Sequence, residues 1–219
     1  MTQKNLFIGA AAALVVMFAG ASMMYMSSKS GAPAAVPAAS QAALVRAHAP
    51  TVGPADAPVT IVEFLDPACE TCATFYPMVK ELMAANPGKI RIVYRWAPFH
   101  NGSQDVVAML EAARKQDKLW PALEALLASQ AVWSPGHTPQ SAAAFKQLEG
   151  LGLNREQMIA DMAAPEIAQT IAQDLADAAS LNVTMTPEFF VNGRPLPSFG
   201  WEQLTQLVNE ALKATQKAP

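Results

Sequence analysis

The sequence predicts an α/β fold in which one sheet is interrupted by an all-helical lobe. Three observations favour this fold: a strand–helix–strand pattern opens the folded part, a long stretch with only helical patterns follows, and a strand–strand–helix pattern ends it. A chain that forms two strands, leaves as helices and returns with two more strands is expected to build one sheet with an insertion.

The opening pattern contains two predicted strands and the helix between them. Residues 59–65, VTIVEFL, are mostly β-branched or aromatic and stop at an Asp-Pro pair. Apolar side chains then recur at helical spacing from Phe75 to Leu82, before Asn-Pro-Gly ends the helix. Residues 89–96, KIRIVYRW, alternate in character and form the second strand. The helix between the strands favours a parallel pair joined by a right-handed crossover.

The helical insertion and the closing pattern follow from the same periodicities. Residues 103–180 carry Ala, Leu and Met at helical spacing, with breaks at Pro and Gly. Two short extended runs, 186–191 and 194–196, flank Asn192-Gly193 and predict a β-hairpin. A helix over residues 201–213 ends the predicted fold.

An apolar run precedes the folded part. Residues 6–26 are uncharged and lie between Lys4 and Lys29; as a helix they span about 30 Å, the thickness of a bilayer's hydrocarbon core. The triplet Ala19-Gly20-Ala21 also fits an export-signal cleavage site. Residues 1–26 are therefore predicted to be an N-terminal membrane anchor or an export signal, and both deliver the rest of the chain across a membrane.

The segment after this run has a different composition. Residues 27–50 are rich in Ala, Pro and Ser and contain no acidic side chain. Such a segment buries too little apolar surface to offset its ordering entropy, so a flexible tether is expected. The folded domain is predicted over residues 51–219, with the helical insertion at about 101–180.

Composition and charge exclude several classes of protein. The 219 residues are 52% hydrophobic, enough for a substantial core, which excludes small disulfide-stapled scaffolds and wholly disordered chains. The first 50 residues hold three basic side chains and no acidic ones. Residues 51–219 therefore have a net charge more negative than the chain's formal value of −3. Such a body repels phosphate backbones, and nucleic-acid binding is not expected.

The chain contains two cysteines, Cys69 and Cys72, separated by two residues. A disulfide that closes so short a loop constrains the unfolded chain very little, so reactivity explains the pair better than stability does. Half of a zinc site is the other interpretation of this spacing. Because Cys69 follows a strand and opens a helix, the helix dipole favours its thiolate, and Cys72 is expected to be the more buried partner.

These residues carry a resemblance to a known family. The run VTIVEFLDPACETC, together with TPEFFVNGRPL further along the chain, resembles the thioredoxin superfamily, and the helices between them resemble its DsbA-like branch. The resemblance covers roughly residues 52–213. It implies a thioredoxin fold with an inserted all-helical lobe, and an enzyme that needs no cofactor beyond the Cys69–Cys72 pair.

The resemblance also implies roles for the Thr-Pro pair before the third strand. In the family this peptide bond is cis and lies against the active-site disulfide, which carries over to Thr186 and Pro187. The backbone of Met185 and Thr186 would then be free to pair with an extended substrate beside Cys69.

Glu63 lies in the middle of an apolar strand, where an unpaired charge is costly. The family often has a buried acid there, which implies that Glu63 relays a proton to and from Cys72. The alternative is an edge position whose carboxylate reaches water. His100, in the sequence APFHNG, matches a loop position seen in relatives, and a structural or solvated role is expected for it.

Two departures from the family affect the tuning of the pair. Strong oxidants of this family carry Pro-His or a similar pair between the cysteines, whereas this chain has Glu70 and Thr71. A carboxylate at Glu70 is expected to raise the pKa of Cys69 and to make the disulfide less oxidising. Met185 and Glu188 replace the small or neutral residues common around the cis proline, and Glu188 adds to the same field.

The sequence therefore predicts an exported thiol-disulfide oxidoreductase of the DsbA-like dithiol oxidase type. A reductase or isomerase of the same fold is the alternative within this class; a copper or zinc protein using the two cysteines with a histidine or Met185, and a redox-inert binding domain, are the alternatives outside it. The expected partners are cysteine-containing exported proteins and a DsbB-like membrane partner. The expected location is the periplasm, tethered to the inner membrane by residues 6–26, or soluble there after signal cleavage.

Overall fold

The computed structural model of the protein describes residues 34–215. The predicted anchor or export signal at residues 1–26 lies outside the described residues. No helix between residues 34 and 215 combines the length and apolar character needed to cross a bilayer.

A short 3-10 turn over Pro135–His137 lies within the helical lobe. The elements, in chain order, are α1 (Ala38–Leu44), β1 (Thr51–Val52), β2 (Val59–Leu65), α2 (Glu70–Ala84), β3 (Ile90–Trp96), α3 (Ser103–Arg114), α4 (Leu119–Ala128), α5 (Gln130–Trp133), α6 (Ser141–Gln147), α7 (Arg155–Met162), α8 (Pro165–Ser180), β4 (Glu188–Val191), β5 (Arg194–Pro195) and α9 (Trp201–Thr215).

The strands form one sheet with the order β1-β3-β2-β4-β5. β2 and β3 are parallel, as the helix between them predicts, and the remaining neighbours are antiparallel. The predicted hairpin about Asn192-Gly193 is confirmed as β4 and β5. β2 therefore lies at the centre of the sheet, where it pairs with β3 on one side and β4 on the other. The α/β fold with an inserted helical lobe is confirmed.

Helices cover both faces of the sheet, which explains why β2 and β3 are apolar at nearly every position. On one face, Ile61 and Leu65 pack in a cluster with buried residues of α2, α9 and the lobe. On the other face, Val62 and Phe64 pack with residues of α1 and α8. Each fully buried Leu, Ile or Phe side chain contributes roughly 1.5–3 kcal/mol.

The predicted helical stretch forms a lobe around α3. This helix is buried along most of its length, and it contacts α4, α6, α7 and α8. The last helix of the stretch, α8, extends beyond the lobe: Ile171 packs in the cluster shared with the lobe, whereas Ala178 packs on the opposite face of the sheet. The lobe and the sheet thus share a continuous core.

The tether predicted for residues 27–50 is wrong over the part that the structure describes. Within it, α1 is helical, and Ala43 and Leu44 are buried against the sheet. The segment begins beside the β4–β5 turn, where Val36 N–H donates to the Gly193 carbonyl over 2.8 Å. Gly193 adopts a left-handed conformation (φ 78°) that favours glycine. The folded domain therefore begins before Thr51.

Hydrogen bonds to buried charged side chains explain why composition alone wrongly predicts a flexible tether for this segment. The Arg95 side chain is fully buried and donates to the carbonyls of Ala43 and Leu44. Its Nη2 also lies 2.7 Å from Asp174 Oδ1 and 2.6 Å from Asp177 Oδ2, both on α8. An arginine in β3 thus joins the N-terminal segment to the last helix of the insertion.

The N-terminal segment contributes two more partners to the same cluster. Arg46 makes two hydrogen bonds to Asp177, of 2.8 and 2.6 Å, and His48 Nε2 lies 2.6 Å from Asp174. Although burial opposes it, hydrogen bonds from Arg46 and Arg95 hold the pKa of Asp177 at about 2. These pairs hold residues 46–48 on the fold.

Replacing Arg95 is expected to destabilise the domain strongly. Arg95→Met leaves the carboxylates of Asp174 and Asp177 without their shared buried partner, and the expected loss is about 3–5 kcal/mol in the free energy of unfolding. Chemical denaturation measures it. The matched control is Lys80→Met, which breaks an exposed pair with Glu124 and is expected to cost less than about 1 kcal/mol. Equal losses for both variants would contradict the role of the buried cluster.

Candidate active site

The two cysteines lie where β2 gives way to α2. Cys69 is the N-cap residue of α2, and its Sγ accepts the N–H of Cys72 at 3.4 Å. Both thiols are free, so the structure represents the dithiol form. The Cys69 residue is 6% exposed, whereas Cys72 is fully buried. Cys69 is therefore the cysteine nearer to solvent.

The surroundings of Cys69 favour its thiolate. A hydrogen bond from the Cys72 side chain, with the backbone N–H groups of Thr71 and Cys72, lowers the pKa of Cys69 to about 5, although burial opposes the shift. These N–H groups belong to the first turn of α2, where helical N–H groups have no partner inside the helix. Cys69 can thus act as a nucleophile and as a leaving group near neutral pH.

Cys72 has the opposite character. Its burial raises its pKa well above that of an ordinary thiol, and so do the hydrogen bond with Cys69 and the nearby charge of Glu63. One cysteine of the pair thus favours the thiolate and the other retains its proton. Such an arrangement separates the roles of the two sulfurs in disulfide exchange.

The Thr-Pro pair lies against Cys69, although it is far away in the sequence. The Thr186–Pro187 peptide bond is cis, and the Thr186 carbonyl oxygen lies 3.2 Å from Cys69 Sγ. Pro187 is buried, Thr186 is half-buried and the neighbouring Met185 is 57% exposed. The structure thus brings together the motifs on which the family resemblance depends.

Glu63 is fully buried, and neither carboxyl oxygen has a hydrogen-bond partner among residues 34–215. Because β2 is a central strand, the alternative of an edge position that reaches water is wrong. Burial raises the pKa of Glu63 well above its ordinary value, and negative charge on Cys69 raises it further. The ionisation of Glu63 is thus coupled to that of both cysteines.

The acidic residues near the pair are less influential than the sequence suggests. Glu70 is exposed at the first position of α2, where solvent screens its charge. The pKa of Cys69 is lowered, opposite to the shift expected from Glu70, because the hydrogen bonds to the sulfur outweigh the effect of burial. Glu188 is half-buried at the start of β4, and burial raises its pKa.

Asp66 organises the loop before Cys69, a role that no sequence motif indicates. It is fully buried, and one carboxylate oxygen accepts Ala68 N–H at 2.9 Å and the Ser103 hydroxyl at 2.6 Å. The other oxygen accepts the N–H of His100 at 2.9 Å and lies 2.7 Å from its ring Nδ1. The structural role expected for His100 therefore consists of a contact with Asp66.

Gln130 is a second residue that the sequence does not single out. Its side chain reaches from the lobe to the same loop and donates to the carbonyls of Pro67 and Cys69. A glutamine in a helical stretch carries no signal of such a role, because the contact joins residues 61 positions apart in the sequence. Asp66 and Gln130 together hold the backbone around the two cysteines.

The metal-site interpretation of the two cysteines needs further ligands close to them. Between residues 34 and 215, no group of three or more His, Cys, Asp or Glu side chains converges on a position that a metal ion could occupy.

Comparison with known proteins places the chain in a family. The family described as thioredoxin matches residues 46–210. This chain belongs to the thioredoxin superfamily. The crystal structure of a thioredoxin-like oxidoreductase from Silicibacter pomeroyi DSS-3 is 32% identical, with a TM-score of 0.68, over 79% of this chain and 98% of that one. The chain thus shares its family and fold with a thioredoxin-like oxidoreductase.

Two more distant structures share the fold. BdbD from Bacillus subtilis is 21% identical over 84% of this chain and 97% of that one, with a TM-score of 0.64. The α-DsbA1 of Wolbachia pipientis is 19% identical over 80% of this chain and 94% of that one, with a TM-score of 0.66. The superfamily fold with its helical insertion is thus of the DsbA-like type.

Curated relatives are longer proteins. The chain is 32% identical over 165 residues to a Na(+)/H(+) antiporter NhaA of Herminiimonas arsenicoxydans, covering 75% of this chain and 26% of that protein. It is 37% identical over 146 residues to an NhaA of Salinispora tropica, covering 65% of this chain and 21% of that protein. The chain thus spans about a quarter of the length of the curated relatives it matches.

The two thiols are expected to differ sharply in reactivity. Alkylation of the reduced protein by iodoacetamide should modify Cys69 with a rate that rises through a midpoint near pH 5, because only the thiolate reacts. Cys72 should stay unmodified in the folded protein at neutral pH. Peptide mapping by mass spectrometry identifies the modified residue, and the protein in denaturant, where both midpoints approach 9, is the control. A folded-state midpoint near 9 for Cys69 would contradict this.

Glu63 is expected to make stability depend on pH. Its pKa is above the ordinary 4.5 in the folded state, so above pH 4.5 the unfolded chain releases a proton that the folded chain retains, and stability falls as pH rises. In Glu63→Gln this slope should disappear, so the variant's stability relative to the parent should be higher at pH 8 than at pH 4.

Chemical denaturation of the oxidised protein measures this difference without a contribution from the Cys69 thiolate. The exposed Glu70→Gln substitution is the control and should leave the slope unchanged. A slope retained in Glu63→Gln would mean that another group causes it.

Proposed function

We propose that the chain is a DsbA-like dithiol oxidase that transfers the Cys69–Cys72 disulfide to cysteine-containing exported proteins. The observation that carries this proposal is the stabilisation of Cys69 as a thiolate, through hydrogen bonds at the start of α2. Those contacts favour the reduced pair over its disulfide, so the disulfide is a strong oxidant.

The oxidation consists of two exchanges in which atoms and electrons balance. A substrate thiolate attacks Cys69 Sγ, the Cys69–Cys72 bond breaks, and its electron pair leaves with Cys72. A second substrate thiolate then attacks the substrate sulfur of the mixed disulfide. The substrate disulfide forms and Cys69 leaves as the stabilised thiolate. The substrate loses two electrons and the enzyme pair gains them.

Glu63 is proposed to supply the proton that Cys72 needs. When the disulfide opens, negative charge appears on a sulfur that is fully buried, where a thiolate is costly. A protonated Glu63 can neutralise that charge, and it takes the proton back when the disulfide is restored. The coupling between Glu63 and Cys72 supports this role.

Substrate is proposed to bind as an extended strand beside Pro187. The exposed Met185 and the half-buried Thr186 offer backbone groups next to Cys69, and main-chain pairing of this kind accepts many sequences. Glu70 and Thr71 are proposed to tune the pair, Glu70 by its charge and Thr71 by its N–H group.

Glu70 supports one alternative, that of a reductase or isomerase. A carboxylate beside Cys69 disfavours the thiolate and would lower the oxidising power of the disulfide. The equilibrium constant with glutathione separates the two directions, because a potential of about −120 mV is typical of strong oxidants and one of about −270 mV is typical of reductants.

A location outside the cytoplasm, at the membrane, is part of the proposal. The uncharged run at residues 6–26 fits an anchor, with a soluble periplasmic protein as the outcome if it is cleaved. The chain matches part of longer proteins that are named Na(+)/H(+) antiporters. Antiporters act in membranes, so this similarity supports a location at the membrane. Reoxidation of the pair would be the task of a DsbB-like membrane partner.

Single cysteine variants test the assignment. Cys69→Ser is expected to abolish oxidation of a reduced, unfolded protein by at least about 100-fold, because the attacked sulfur is missing. Cys72→Ser is expected to accumulate mixed disulfides with its clients, since Cys72 can no longer displace a bound substrate. Non-reducing electrophoresis and mass spectrometry of the trapped species measure both results. Undiminished turnover by Cys69→Ser would overturn the proposal.

A further inference from the structure

One side chain of the helical lobe contacts the backbone of the redox site directly. Gln130 is buried, and its Nε2 lies 2.6 Å from the carbonyl oxygen of Pro67 and 2.9 Å from that of Cys69. A side-chain amide nitrogen carries two hydrogens. Both are used on the loop that presents the reactive sulfur.

The lobe holds Gln130 firmly in this position. The backbone carbonyl of Gln130 accepts the N–H of Ser134 at 2.7 Å, and this hydrogen bond closes the short helix α5. In the same helix, the fully buried Trp133 donates its indole N–H to the carbonyl of Leu126 over 2.8 Å. The donor that reaches the redox loop is therefore attached to a packed element.

The contact fixes the peptide group that opens α2. The Cys69 carbonyl also accepts the N–H of Ala73 at 3.1 Å, the first hydrogen bond of the helix. Gln130 is the second donor to the same oxygen and so restrains the rotation of the Cys69–Glu70 peptide. That rotation decides whether the next N–H groups point at Cys69 Sγ, because they belong to the same turn.

Gln130 also completes a two-sided clamp on the loop. On the N–H side, Asp66 accepts Ala68 N–H and is held by Ser103 at the start of the lobe. On the carbonyl side, Gln130 donates to Pro67 and Cys69 from the middle of the lobe. The inserted helices therefore touch the redox loop from both sides with buried hydrogen bonds.

We propose that Gln130 is a positioning residue of the redox site, through which the helical lobe sets the thiolate stability and redox equilibrium of the Cys69–Cys72 pair. It directs the first N–H groups of α2 toward the sulfur and takes no part in the exchange itself. The inference rests on the proposed disulfide exchange. A purely structural Gln130 would affect the stability of the fold and leave the properties of Cys69 unchanged.

The test uses three variants of the full chain. Gln130→Leu removes both donors, and Gln130→Glu keeps the shape of the side chain while removing the amide. Gln147→Leu is the matched control, because Gln147 donates to Ala143 within the same lobe and is partly buried. The pH midpoint of thiolate absorbance and the equilibrium constant with glutathione are measured for each.

Both Gln130 variants are expected to raise the midpoint of Cys69 by about half to one pH unit, since the first N–H groups of α2 lose part of their alignment with the sulfur. The equilibrium constant with glutathione should shift on the order of three- to tenfold toward a weaker oxidant. Gln147→Leu should retain the parental midpoint and constant. Folded Gln130 variants with parental values would overturn the proposal.

A measurement on the unmodified protein covers the case in which the Gln130 variants do not fold. The side-chain amide resonances of Gln130 should shift as Cys69 titrates, with the same midpoint as the thiolate absorbance, whereas those of Gln147 should not. A Gln130 amide that does not respond to this titration would overturn the proposal. If the parental pair does not exchange with glutathione at all, the proposed function fails, while the titration still reports on Gln130.

Discussion

The hydrogen bonds that Cys69 Sγ accepts from the Cys72 side chain and from the Cys72 N–H are the contacts on which the chemistry of this protein depends. They exist because the strand β2 delivers Cys69 to the first turn of a helix, where N–H groups lack partners. A sulfur in that position is stabilised as a thiolate, and the same sulfur is the proposed point of attack in the disulfide. The reactivity of Cys69 therefore depends on the first turn of α2, and the surrounding structure holds that turn in place.

Glu63 shows what the fold tolerates in order to keep this chemistry. An acid without a hydrogen-bond partner among the described residues, in the central strand, costs free energy that an apolar side chain would not. The proton relay proposed for Glu63 requires an ionisable group inside the core. The apolar clusters on both faces of β2 offset this cost by burying Ile61 and Leu65 on one face and Val62 and Phe64 on the other.

The sequence predicts the parts of the molecule whose signals are local. Apolar runs indicate β2 and β3, Asn192-Gly193 indicates the hairpin, and the spacing of Cys69 and Cys72 indicates that they share one helical turn. Local signals do not predict the helix α1. Its burial depends on Arg95, and Arg95 lies 51 or more positions away from the residues of α1 that it contacts. Gln130 was missed for the same reason: a contact between distant residues leaves no periodic pattern in either segment.

The position of Val36 beside Gly193 has a practical consequence for how the domain is presented. The hairpin turn at Gly193 lies at the start of β2, where Asn192 pairs with Thr60, whereas Cys69 follows the other end of the same strand, about 20 Å away. A surface, dye or fusion partner joined at residue 34 would therefore be fixed to the pole opposite the sulfur. Immobilised in this way, the domain would offer its thiol to the solution, unobstructed by whatever carries it.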